Sequence, residues 1–87
     1  MIFPEVNLIE TGKNIIKLRK EKGLSRQNLA DLLYVKYCTV WTWEIGKRCP
    51  EIDNLLALSF IFNVKLDDLL VIRYPQENPN VEEIKGE

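Results

Sequence analysis

Apolar side chains recur three and four residues apart in short bursts, and glycine, proline and polar residues separate the bursts. That rhythm belongs to short α-helices rather than to half-buried strands. Ile15, Leu18 and Ile16 mark a first helix, with Thr11 as its cap and its end near Lys22. Gly23 supplies the left-handed residue that stops it, and Leu24 folds back as the hydrophobic contact. Ser25 caps a second helix over Arg26 to Leu33, with Leu29, Ala30 and Leu33 facing inward. A third runs from about Tyr37 to Ile45 and is stopped by Gly46. Val40 and Trp43 lie on its inner face, while Cys38, Trp41, Thr42 and Ile45 lie on its outer face. Pro50 opens a connection to a fourth helix, about Asp53 to Phe62, carrying Leu55, Leu56, Leu58, Ser59, Ile61 and Phe62. Asn63 and Val64 break it, and Leu66 to Leu70 make a short fifth. The expected class is all-α, with no internal repeat and no low-complexity segment.

The pattern divides the chain into a helical domain over residues 11–71, an extension over 1–10 and an acidic tail over 72–87. The tail contains Pro75 and Pro79 and has little to bury, so flexibility is expected there. The extension is different. Ile2, Phe3, Val6, Leu8 and Ile9 want burial, either on the fifth helix or on a partner chain.

At 87 residues with 46% hydrophobic positions, the chain suffices for one small core. The formal net charge of −1 hides a strong polarity. Residues 11–50 hold nine cations against three acids, a net of +6, whereas residues 51–87 stand at −5. The cations thus gather on the helix pair, which suits an anionic polymer as partner. No apolar run approaches membrane-spanning length. The amino end, Met1 to Glu5, has an acid where a signal peptide has cations, so a cytoplasmic location is expected.

Candidate chemistry is sparse. There is no histidine, no glycine-rich phosphate loop and no paired nucleophile and base, so the chain does not read as an enzyme. Two cysteines, Cys38 and Cys49, are too few for a zinc site, and neither a metal nor a cofactor is expected. Asp67 and Asp68 suit a helix start better than a metal site. What stands out is the second and third helices. A short helix anchored on one face and offered outward on the other suits insertion into a DNA major groove.

The run from Gly12 to Leu70 resembles the Cro/C1-type, or XRE, helix-turn-helix family. The matching residues are Ile15, Leu18, Arg19, Lys22, Gly23, Leu24 and Ser25, then Leu29, Ala30, Leu33 and Val35. Thr39, Val40, Trp43, Glu44, Gly46, Lys47, Arg48 and Pro50 follow, then Leu55, Leu56 and Leu58, and finally Val64 and Leu66 to Leu70. The resemblance implies a five-helix, lambda-repressor-like fold and a dimeric repressor or activator. It implies that Arg26 contacts a phosphate, that Tyr37, Cys38 and Thr42 face base edges, and that Lys47 and Arg48 hold the backbone. It also implies a structural ion pair between Arg19 and Glu44. Lys36, which flanks the start of the third helix, joins the expected phosphate contacts. Trp41 joins the base-reading set, where it can stack on sugar, meet a thymine methyl or pack on a neighbouring subunit.

Four departures from the family pattern carry consequences. Tyr34 stands where the turn usually has glycine, so strain is expected. Lys36 and Lys65 replace small capping residues, at a cost of ~1 kcal/mol each. Tyr37, Cys38 and Trp41 replace the amides and guanidiniums that read purines, and a threonine methyl or a thiol favours thymine methyls. Ile16, Leu32, Ala57 and Phe60 are apolar where the family is usually polar. A homodimer would cover such a surface and set two reading helices one DNA turn apart, ~34 Å. The expected partner is double-stranded DNA. The alternative is the antitoxin of a toxin–antitoxin pair, a protein-interaction module that binds DNA for autoregulation, its acidic tail from Glu77 to Glu87 ordering on a basic partner protein.

Overall fold

The computed structural model describes residues 2–75. The acidic tail beyond Pro75, with Glu77 to Glu87, lies outside the described residues. In chain order the elements are β1 (Glu5–Val6), α1 (Leu8–Glu21), α2 (Arg26–Leu33), α3 (Tyr37–Glu44), α4 (Ile52–Phe62), α5 (Leu66–Leu69) and β2 (Ile72–Arg73). Helices α1 and α2 pack on α3, and α5 bridges α1 and α4. Their shared core is Ile15, Leu29, Ala30, Leu33, Val40, Trp43, Leu55, Leu58, Phe62 and Leu69. No described helix is long and apolar enough to cross a membrane.

Helix α2 begins and ends where its punctuation dictates. The Ser25 hydroxyl accepts from the Asn28 amide N–H, and the Asn28 side chain accepts from the Ser25 N–H, a reciprocal cap. Its C-cap is Tyr34, held left-handed at φ 57° and ψ 40° and 95% exposed. The strain expected at the turn is therefore present, and no packing offsets it. Neither Lys36 before α3 nor Lys65 before α5 makes a side-chain capping bond.

The start of α1 corrects the sequence reading. Asn7, not Thr11, is the cap, its Oδ1 accepting from the Glu10 N–H at 3.1 Å. Thr11 is buried inside the helix, and its Oγ1 accepts from the Val71 N–H at 3.0 Å. The ends of the domain are joined by β1 and β2, which pair antiparallel with Val6 opposite Ile72. An Asn7 N–H bond to the Val71 carbonyl at 2.7 Å extends that pairing. Residues of the extension thus supply a strand and the first turn of α1. Val6 and Leu8 are half-buried, while Ile2, Phe3 and Ile9 remain exposed.

Helices α1 and α3 meet at Gly12. A Cβ there would stand 2.5 Å from the Trp43 carbonyl oxygen and 2.6 Å from that of Glu44. Only a residue without a side chain lets the two backbones approach so closely.

Candidate nucleic-acid interface

One side of α3 is fixed from within. Val40 and Trp43 are buried in the core, and Glu44 is buried beside them. Glu44 is the hub of a charged cluster. Arg19 Nε donates to its Oε2 at 2.7 Å and Arg19 Nη2 to its Oε1 at 3.3 Å. Arg26 Nε donates to the same Oε1 at 2.6 Å. Arg19 also reaches back with Nη1 to the Leu24 carbonyl at 2.9 Å. Three helices are therefore tied at one carboxylate, which fixes the angle at which α3 leaves the core.

Arg26 does more than expected of a phosphate contact. Its Nη1 donates to the Tyr37 hydroxyl at 3.3 Å, linking the start of α2 to the start of α3. The hydrogen bond to Glu44, followed by that to Tyr37, raises its pKa further above the ordinary arginine value. The fork still has donors for an external anion. Arg26's membership of the Glu44 cluster was not readable from the chain, because residues at opposite ends of two helices meet only through the crossing angle.

The other side of α3 faces outward. Tyr37, Trp41 and Ile45 follow one another at helical spacing, and Tyr37 and Trp41 are 44% and 42% exposed. Cys38 is exposed beside them and Thr42 is half-buried. Thr42 Oγ1 donates to the Thr39 carbonyl at 2.7 Å. The structure brings these four candidate base-reading residues onto one helix face.

The cations bracket that face. Lys36 immediately precedes α3, where unpaired helix N–H groups also favour an anion. At the far end the Lys47 and Arg48 N–H groups both bond the Thr42 carbonyl, at 2.9 and 3.2 Å. Gly46 makes this turn at φ 79°, with Ile9 so near that a Cβ would meet its Cα at 2.8 Å. Lys36, Lys47 and Arg48 are exposed and form no ion pair among the described residues. A cleft between α3 and the following loop is lined by Cys38, Thr42, Lys47, Arg48, Cys49 and Asn54 among others. Burial pushes the Cys49 thiol up from its ordinary pKa. Among the described residues, no three His, Cys, Asp or Glu side chains cluster as metal ligands would.

The sequence profile of the helix-turn-helix family matches residues 15–69. The HTH-type transcriptional activator BcrR of Enterococcus faecalis is 36% identical over 62 residues, covering 71% of this chain and 30% of that protein. Among solved structures, the restriction-modification controller protein C.AhdI from Aeromonas hydrophila is 31% identical with a TM-score of 0.65. The match covers 71% of this chain and 94% of that one. SinR, a master regulator for biofilm formation solved in complex with DNA, is 30% identical with a TM-score of 0.62. It is matched over 68% of this chain and 95% of its own. The chain spans 30% to 55% of the length of the curated relatives it matches.

Proposed function

The chain belongs to the Cro/C1-type helix-turn-helix family, and from that premise we propose that it is a sequence-specific transcriptional regulator binding duplex DNA as a homodimer. In this reading α3 enters the major groove and presents Tyr37, Cys38, Trp41 and Thr42 to base edges. Lys36, Lys47, Arg48 and the free edge of Arg26 neutralise phosphates on either side. The observation that carries the reading is the bracketed face itself. A helix locked from behind by Glu44, Val40 and Trp43 turns an accessible surface outward between Lys36 at one end and Lys47 and Arg48 at the other, which form no ion pair among the described residues.

A second surface supports the dimer. On α4, Ile52, Leu56 and Phe60 recur at a spacing of four and are all exposed, Phe60 to 86%. Such a line of large exposed apolar side chains on a small domain suits coverage by a second copy. Closing it around a two-fold axis pairs the reading helices.

The test is a mobility-shift titration against duplexes selected from random DNA. With about four phosphates per protomer, the slope of log K against log salt is about −7. Affinity then falls by about four decades between about 50 and 200 mM salt. Binding that ignores salt, or the failure of any duplex to bind, refutes the reading. Phe60→Glu should leave a monomer by sedimentation and weaken binding to two-half-site DNA.

A further inference from the structure

The outward face of α3 is poor in hydrogen-bond donors. Thr42 has committed its hydroxyl proton to the Thr39 carbonyl of its own helix, at 2.7 Å. A methyl group and an oxygen lone pair are what it has left for a ligand. The Tyr37 hydroxyl accepts from Arg26 Nη1 at the entrance of the helix, which leaves it a single O–H to donate. Cys38 offers only a weak thiol donor and Trp41 a single indole N–H. None of the four carries the planar fork of an amide or guanidinium that reads adenine or guanine. Among major-groove features, the C5-methyl group of thymine suits such a surface best.

We infer that the protein selects its operator chiefly through thymine methyl groups, with Thr42 and Trp41 as the specificity-determining contacts. The inference rests on the DNA-binding reading above and deepens it. Thr42 meets a methyl with its own γ-methyl, and Trp41 lays indole surface against a neighbouring one. Both contacts gain by excluding water, without a directional bond. Phosphate contacts supply most of the affinity, and methyl positions decide where on the duplex it is used.

The experiment takes the full chain and a duplex selected from a random pool. Each thymine is replaced in turn by uracil, which removes the 5-methyl and nothing else. One or more positions in each half-site should weaken binding about fourfold per methyl lost. Thr42→Ser, which keeps the hydroxyl, should bind the thymine duplex as weakly as the wild type binds the uracil one at its position. Parallel duplexes carry 7-deazaguanine, which removes the N7 acceptor. If every uracil duplex binds like its parent while 7-deazaguanine weakens binding, the readout is by hydrogen bonds and the inference is overturned. If the pool yields no bound duplex at all, the DNA-binding reading fails and this one falls with it.

Discussion

Replacing Glu44 by glutamine removes the one negative charge that two guanidiniums share. The Glu44 side chain is fully buried, that of Arg19 is 8% exposed and that of Arg26 is 36% exposed. Glutamine retains one acceptor oxygen but turns an N–H toward the other guanidinium. Arg26 can swing into solvent and recover its hydration. Arg19 cannot, because it is enclosed and its Nη1 is held on the Leu24 carbonyl. The penalty therefore falls on Arg19, and an uncompensated buried charge of this kind costs ~3–5 kcal/mol. A chain of 87 residues has a total stability of only ~4–13 kcal/mol, so the loss is a large fraction of it. Urea denaturation followed by circular dichroism measures it. With an m-value near ~1 kcal/mol/M the midpoint falls by ~3 M or more. Two companion variants test the mechanism. Arg26→Ala breaks the half-exposed arm and should cost ~1 kcal/mol or less. The pair Arg19→Met and Glu44→Leu together removes both buried charges and should return most of the stability lost in Glu44→Gln. A Glu44→Gln unfolding free energy within about 1 kcal/mol of wild type, or an Arg26→Ala variant just as damaged, would refute the reasoning.

Four further outcomes follow from particular residues. Tyr34→Gly relieves a left-handed residue worth ~1–2 kcal/mol and gives back ~0.5–1 in chain entropy, so it should stabilise by about 0.5–1 kcal/mol and raise Tm by several degrees in calorimetry. An unchanged or lower Tm would show that the strain is absorbed elsewhere. Gly12→Ala drives a Cβ into the carbonyl oxygens of Trp43 and Glu44, which are backbone and cannot step aside. It should cost at least ~3 kcal/mol, and an unshifted urea midpoint would contradict the close approach. Brief alkylation of native protein near pH ~8 should modify exposed Cys38 before Cys49, which is half-buried and whose pKa burial raises. Equal rates by mass spectrometry would deny that difference. Lys47→Ala should weaken binding to every sequence alike and reduce the salt slope by about 1, whereas Thr42→Ala should shift preference at one base position. An altered preference with intact affinity in Lys47→Ala would reverse the two roles.

The helices were legible because their boundaries are local chemistry. Gly23, the Ser25–Asn28 cap and Gly46 act within a few residues of where they stand, and α2 runs from Arg26 to Leu33 as its pattern predicts. The start of α1 was not legible, since Thr11 and Asn7 are both good caps by residue type. What separates them is that the Thr11 hydroxyl is occupied by Val71, sixty residues away in the chain. The β1–β2 pair is invisible for a related reason. Two residues on each side carry no periodicity, and the pairing exists only because α5 returns the chain to the start of α1.

The interface divides along the same line. The cations of the candidate interface could be proposed from the chain, because charges concentrated in residues 11–50 act at long range whatever the exact fold. The function of an individual side chain on α3 depends on how its polar atoms are already used. Thr42 as a residue type offers a donor, an acceptor and a methyl in equal measure. The bond to the Thr39 carbonyl takes the donor away and changes what the side chain can say to a base. Arg26 is changed in the same manner, from a freely placed cation to one whose direction is set by Glu44 and Tyr37. Glu44 holds both the pose of Arg26 and the anchored side of α3, so in the proposed reading stability and readout are coupled through one carboxylate. A substitution there should broaden base preference as well as lower affinity, whereas one at Lys47 should lower affinity alone.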